Sequence, residues 1–246
     1  MKVKNFLFFP KRIPEPKIMG KIELNTFEKI SKESRKRWNL PFVDFVLQTS
    51  GIKSGNILDV GCGPGLLVKT LAKKSKNFHV VGLDISEYAI YQSKKNTKNI
   101  KNIEFKKGSV YNLPFFDSSF DIIVCKDSFH QFPRDPVKAL KEMLRVVKKE
   151  GFIFITDLKR DVPEYLLNRV IPPDSTFKKL LYYSARAAYT KNEMKKIIKD
   201  TGGKCISIST RKITRDVANR YKKEGINLDS LKEAFQSRYI AVIRKE

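Results

Sequence analysis

From residue 56 onward, short apolar runs alternate with stretches whose apolar residues recur every three or four positions. The runs "NILDVG" (56–61), "HVVGLDIS" (79–86), "IEFKKGSV" (103–110), "FDIIVCKD" (120–127) and "GFIFITDL" (151–158) predict strands. Between them, "LLVKTLAKK" (66–74), "EYAIYQSKKN" (87–96) and "PVKALKEMLRVVKK" (136–149) predict helices. Ser86 is placed to cap the second of these, and a proline opens the third in its first turn. Strands alternating with helices of this length read as βαβ units with right-handed crossovers. The expected architecture is α/β, a three-layer sandwich with a mostly parallel sheet and helices on both faces.

Two regions break the rhythm. Residues 1–50 hold proline-punctuated coil, then two expected helices, "ELNTFEKISKESRKRW" (23–38) and "PFVDFVLQTSG" (41–51), so they form an N-terminal extension or helical cap. Residues 51–246 form the main domain. Within it, residues 159–190 hold three prolines and four tyrosines and predict a helical lid-like insert after the fifth strand. Tyr182 and Tyr183 read equally well as ordinary packing between lobe and domain. A helix, "KNEMKKIIKDTG" (191–202), and strands near "KCISISTRK" (204–212) and "RYIAVIRK" (238–245) bring the sheet to seven. The segment "FPKRIPEPKIMG" (9–20) reads either as a substrate clamp or as a plain surface strap.

Composition changes this picture little. A chain of 246 residues suits one domain with a sizeable core. The formal charge of +24 invites a polyanionic partner, and the densest tract, Lys94 to Lys107, sets six lysines against one glutamate. Yet the lysines are spread along the chain, as a low-GC coding bias would also leave them, and a solvated surface is the preferred reading. Three cysteines far apart in sequence show neither metal spacing nor a disulfide framework, so no metal site is expected and a reducing, cytoplasmic setting is. No apolar run approaches the ~20 residues that cross a bilayer. The start "MKVKNFLFFPKRIPEP" lacks a small-residue cleavage site and is not read as a signal peptide.

The candidate chemistry sits in "NILDVGCGPGLLVKTL" (56–71). A glycine loop between a strand and its helix brings backbone close to a ligand, and unpaired amides at a helix start attract negative charge. Counted from Gly61, the dinucleotide spacing G-x-G-x-x-G needs glycine or alanine where Leu66 stands, and no G-K-[ST] is present, which excludes a triphosphate loop. Asp84 closes the second strand, 19 residues after Gly65, where an acid can take both hydroxyls of a ribose. Ser86 can cap the next helix, which leaves Asp84 free for that role.

These blocks resemble the Rossmann-like class I S-adenosylmethionine-dependent methyltransferases. "ILDVGCGPG" is similar to the family's first motif and "VVGLDIS" to its second. "GSVYNLPFFDSSFDIIVCKDSFHQF" is similar to its third and fourth blocks. "ALKEMLRVVKKEGFIFITD" is similar to the family's next helix and strand, and "YTKNEMKKIIKDTGG" to its late helix before the sixth strand. The likeness is close over residues 56–158 and weaker to the C-terminus. It implies S-adenosyl-L-methionine as cofactor and S-adenosyl-L-homocysteine as product. It places Asp59, Gly61, Cys62 and Gly63 around the methionine part and Asp84 on the ribose. Ile85 would pack on adenine, Ser109 and Val110 would lie at the adenine edge, and Lys126 near the sulfonium. Ser109 stands where the family commonly has aspartate, which implies a weaker hold on adenine.

Methyl transfer needs in-line approach, a dry site and sometimes a base. Candidates lie just past the fourth strand, where Asp127 or His130 could orient or deprotonate an acceptor. Each has a plain alternative: Asp127 as a helix cap, and His130 as a helix-start residue satisfied by its neighbours. The site reads "CKDSF" rather than N-P-P-Y, which argues against amide-type nitrogen acceptors. The helical extension and tyrosine-rich insert favour a small or medium organic acceptor. Two other readings stay open: methylation of RNA or protein through the basic surface, and a cofactor-binding regulatory protein that transfers nothing. Acceptor atom and oligomeric state are not legible.

Overall fold

The computed structural model describes residues 11–15, 20–33, 35–132, 135–161, 175–210, 219 and 237–246. Residues 1–10, which make up most of the stretch weighed as a signal peptide, and residues 162–174 of the insert lie outside the described residues. Seven described strands form one sheet: β1 (Gly55–Val60), β2 (Phe78–Asp84), β3 (Ile103–Lys107), β4 (Phe120–Lys126), β5 (Val147–Leu158), β6 (Lys204–Thr210) and β7 (Arg238–Arg244). Their order is β3-β2-β1-β4-β5-β7-β6, and β7 alone among them runs in the direction opposite to the other six. The described helices are α1 (Lys21–Glu33), α2 (Arg35–Ser50), α3 (Leu66–Lys74), α4 (Glu87–Asn96), α5 (Pro136–Val146), α6 (Ser175–Ala187) and α7 (Lys191–Thr201), with a 3-10 turn over Phe129–Gln131. The fold is the mostly parallel α/β sandwich that the alternating pattern implied, in the Rossmann-like form that the resemblance implied.

Burial on both faces explains why the central strands read as unbroken apolar runs. On one face Leu58, Val60, Ile123, Cys125, Ile153 and Ile155 join a core with Leu140 and Met143 of α5 and Met194 and Ile198 of α7. On the other, Ile57, Ile122, Val124 and Phe154 meet Phe42, Val43 and Val46 of α2 and Leu67, Val68 and Leu71 of α3. Each fully buried side chain of this size contributes about 2 kcal/mol. Helix α2 thus shares a core with the sheet.

Two boundaries differ from the sequence expectation. Helix α2 starts at Arg35 and runs through Pro41, where a new helix was expected. Proline inside a helix costs about 3 kcal/mol, and complete burial of Phe42, Val43 and Val46 directly after it offsets that. Helix α5 ends at Val146 rather than residue 149, because Val147 already pairs with Phe120. The next paired residues are Ile122 and Phe152, so residues 148–151 bulge from the strand, with Glu150 at φ 62°. The bulge lets Lys148 reach Asp121 at 2.9 Å, while Asp121 accepts the N–H of Asn56 at 2.8 Å and fastens the start of β1 to β4.

Tyr239 is fully buried, and its hydroxyl has no hydrogen-bond partner among the described residues. Removing an unsatisfied buried hydroxyl returns its desolvation penalty. Tyr239→Phe is therefore expected to keep or raise stability, by about 1 kcal/mol, read as the shift of the urea midpoint. A clear loss of stability would mean that the hydroxyl has a partner.

Candidate functional site

The winding of the sheet reverses between β1 and β4, and a doubly wound sheet opens its crevice there, at the carboxyl ends of the strands. A cavity of about 390 Å³ occupies that position. Its floor is the loop from β1 to α3, where Gly61, Gly63 and Gly65 all have left-handed conformation, the last two for different reasons. A Cβ on Gly65 (φ 74°) would lie 2.7 Å from Ser93 and 2.9 Å from the Phe105 ring, so the protein's own packing excludes it. A Cβ on Gly63 (φ 51°) would meet nothing within 4 Å. Gly63 faces the open cavity, and there the missing side chain leaves room for a ligand.

Asp84 holds this loop. Its Oδ2 accepts the N–H of Gly63 at 2.9 Å and its Oδ1 that of Ser86 at 2.9 Å. Ser86 in turn caps α4 by accepting the N–H of Ala89. Burial raises the Asp84 pKa against the pull of these amides. Asp59, at the end of β1, is 2% exposed, and its Oδ2 has no partner among the described residues. Burial lifts its pKa to about 7; nearby Lys126 works against the rise and the Asp84 charge adds to it. A buried carboxylate oxygen without a donor suits a cationic group. Cys62 also lines the cavity, but burial pushes its thiol well up and leaves it unreactive.

All nine residues that the sequence placed around a cofactor, Asp59, Gly61, Cys62, Gly63, Asp84, Ile85, Ser109, Val110 and Lys126, line this one cavity. The orphaned Asp59 oxygen can take an ammonium, the Asp84 carboxylate retains capacity for ribose hydroxyls, and the space over Gly63 admits the chain between. The residues present therefore fit S-adenosylmethionine. Sequence reasoning missed the opposite wall, where Glu15, Leu24, Phe27, Asn39, Gln131 and Phe132 stand. These come from the strap, α1, α2 and the end of the 3-10 turn. The sequence allowed the strap as a clamp, and Gln131 and Phe132 fall within the quoted fourth block, but none of the six was singled out. No group of residues that could hold a metal occurs among the described residues.

A sequence profile of the methyltransferase-domain family matches residues 52–202. The chain belongs to the methyltransferase-domain family. Among its curated relatives, the demethylmenaquinone methyltransferase of Thermotoga maritima is 32% identical over 122 residues, half of each chain. The fatty-acid O-methyltransferase of Mycolicibacterium smegmatis is 30% identical over 131 residues, 52% of this chain and 47% of that one. The chain spans about half the length of these curated relatives. Of solved structures, the plantazolicin methyltransferase BamL, in complex with a triazolic desmethylPZN analog and SAH, superposes with TM-score 0.71. At 18% identity, over 92% of this chain and 90% of that one, the likeness is one of fold.

In this methyltransferase-family chain the two expected acid–base residues stand in different surroundings. Asp127 lines the cavity at φ 53°, takes the Lys126 ammonium at 2.5 Å, and accepts from Arg238 Nε at 3.0 Å. Burial alone would raise its pKa, but Arg238 and Lys126 prevail and hold it far below the usual carboxylate range. So strong a hold makes it a poor base and a firm anchor for Lys126. His130 stands behind the wall rather than on it. Its Nδ1 is 2.7 Å from Asp157 Oδ1, its backbone N–H donates to Asp157 Oδ2 at 2.8 Å, and its Nε2 lies at ion-pair distance, 3.3 Å, from Glu15.

Arg12 fastens the same strap, with Nε donating to Ala187 O at 2.6 Å and Nη2 to His130 O at 2.8 Å, its guanidinium over the Tyr189 ring. The described part of the proline-rich segment, residues 11–15, thus docks on α6 and delivers Glu15 to the cavity wall. Burial would lower the His130 pKa, yet Asp157 first and Glu15 next raise it to about 10. Burial would raise that of Glu15, but His130, Ser184 and Gln131 bring it below its ordinary value.

A histidine raised from 6.5 to about 10 stabilises the fold fully below pH 6.5, and that contribution fades as pH climbs toward 10. The Glu15 contribution runs the other way and fades only below about pH 4.5. Thermal midpoints are expected to fall between about pH 7 and about pH 9.5, with a flatter profile over that range in His130→Gln. An equally steep fall in the variant would put the alkaline limb elsewhere.

Proposed function

We propose that the protein is an S-adenosylmethionine-dependent methyltransferase acting on a small or medium organic acceptor. The observation that carries the reading is the lining of the cavity. Among the described residues, four carboxylates line it, but Lys126 and Arg238 offset Asp127 and His130 offsets Glu15, which leaves Asp59 and Asp84 with no cation of their own, in a chain of formal charge +24. Two buried carboxylates so placed suit a cationic ligand, and family membership names the class. Bound there, the cofactor supplies a methyl group already activated on a sulfonium.

The chain's own residues supply position and dryness. Asp84 clips the glycine loop in place. Asp59 receives the ammonium, and Lys126 is held against Asp127 and kept clear of it. Leu24 and Phe27 of α1 and Phe132 close the far side with apolar surface, which keeps water from the transfer. A cavity walled by a strap and two helices favours a compact acceptor over a polymer, and its carboxylates repel an RNA backbone. The named activities of the relatives, on demethylmenaquinone and a fatty acid, support the same size class.

The deciding experiment traces tritiated methyl from the cofactor into an extract of the source organism split into small-molecule, RNA and protein fractions. Label in the small molecules supports the reading. Label in RNA or protein overturns the acceptor class, and none anywhere, despite cofactor binding, overturns turnover. Asp84→Ala is expected to weaken S-adenosylhomocysteine binding by about tenfold or more. Asp59 accepts an ammonium only when ionised, so affinity should tighten as pH rises from about 5.5 toward about 7.5, by up to about tenfold per unit. Asp59→Asn should weaken binding and flatten that profile. Calorimetric titration at several pH values reads both.

A further inference from the structure

The proposed function leaves the polar residues of one cavity wall without work. The cofactor-side residues come from the ends of β1, β2 and β4 and from residues 108–110, whereas Glu15, Leu24, Phe27, Asn39, Gln131 and Phe132 come from elements outside them. The turn that carries Gln131 and Phe132 is tied to the glycine loop, because Ser128 Oγ donates to Gly61 O at 2.9 Å. This second wall therefore borders the methionine end of the cofactor site, where a transferred methyl must leave. Its apolar members are Leu24, Phe27 and Phe132.

Its polar members are few and specific. Glu15 Oε1 accepts from Ser184 Oγ at 2.7 Å, and Oε2 from Gln131 Nε2 at 3.2 Å. A carboxylate has about four lone-pair positions, so capacity toward the cavity remains. The residue is fixed rather than mobile: His130 stands behind it and is itself gripped by Asp157. Asn39 of α2 is a second, independent feature. It is 6% exposed and lines the cavity, no hydrogen bond of its side chain is found among the described residues, and its amide is open to the cavity, where a ligand can pair with it.

Charge narrows the class further. Among the described residues Lys126 is the single cationic side chain on the cavity, and Asp127 holds it at 2.5 Å. An anionic acceptor head would meet the Glu15 carboxylate first, since the His130 cation stands behind that carboxylate and not on the cavity, whereas an N–H or O–H donor would find a fixed acceptor there.

Resting on the methyltransferase reading, we propose that Glu15 and Asn39 are specificity-determining residues that seat the polar head of an apolar acceptor. That head is an amine or hydroxyl and not a carboxylate. Glu15 accepts its hydrogen bond, Asn39 fixes its orientation, and the three apolar side chains cover its body.

The test compares three probes of one shape, 1-naphthylmethylamine, 1-naphthylmethanol and 1-naphthoate, titrated calorimetrically into the full chain saturated with S-adenosylhomocysteine. The amine and alcohol are expected to bind about tenfold tighter than the carboxylate, or more. In Glu15→Gln the ratio of amine to carboxylate affinity should fall about fivefold or more, with S-adenosylhomocysteine affinity kept within about twofold. Asn39→Ala should weaken the amine and alcohol without favouring the carboxylate. A residue that only braced the wall would weaken all three probes alike and leave their ratio unchanged, and that result overturns the inference. So does naphthoate binding as well as the amine to the unaltered protein, which decides the matter even if Glu15→Gln does not fold. Failure of S-adenosylhomocysteine to bind at all would sink the methyltransferase reading itself, whereas its binding without probe selectivity sinks this inference alone.

Discussion

The site depends on one carboxylate shared between two backbone amides. Asp84 ends β2, and by holding Gly63 N–H and Ser86 N–H it ties the glycine loop of the neighbouring strand to the first turn of α4. Hydrogen bonds to a charged acceptor contribute about 1.5–3 kcal/mol each. Parallel pairing of β1 with β2, from Gly55–Phe78 to Val60–Leu83, sets the register that brings the two ends level. A one-residue slip would carry Asp84 to the other face of the sheet and open the loop. The crevice at the switch point is therefore held at its most irregular point by the strand that must also meet the ligand.

That arrangement places buried negative charge where the sheet has little to neutralise it. Asp59 keeps an oxygen without a donor among the described residues, and Asp84 sits beside it. A protein selected for stability alone would not leave the Asp59 oxygen without a donor beside a second buried carboxylate. The nearby cation, Lys126, is committed to Asp127, which Arg238 secures from β7. The strand that runs against the rest of the sheet thus reaches into the cavity's charge balance, and the antiparallel pair of β6 and β7 has a part in the site as well as in the core.

How much of this the sequence revealed depends on whether the reason for a residue is local. Period-two and period-3.6 patterns are local, so the strands, helices and their sandwich were legible. The glycine loop and Asp84 were legible because a strand, a tight turn and a helix start leave few residue types able to serve. Ser86 is a cap in the structure, as its position between strand and helix suggested. Pro41 misled because the burial that overrides it comes from a sheet remote in sequence. Glu15 was invisible for the same reason: its partners are Gln131 and Ser184, 116 and 169 residues away. Nothing in "RIPEP" announces them. His130 was noticed for its chemistry, but only packing shows that its ring nitrogens face two carboxylates, Asp157 behind the wall and Glu15 on it.

Net charge misleads in a related way. Charges on exposed lysines are screened within about 8–10 Å at physiological ionic strength, so a formal +24 spread over the surface says little about a cavity under α1 and the strap. Inside, screening is weak, and a few carboxylates decide the field. The two scales can serve different ends: the basic exterior keeps copies of the chain apart, while the acidic interior selects a cation. What the second wall then admits is set by Glu15, a charge delivered by the most irregular described segment of the chain and made rigid by a buried histidine. The specificity of such a fold is free to change through its strap while the clip at Asp84 stays fixed, since the two share no hydrogen bond among the described residues and meet only across the cavity.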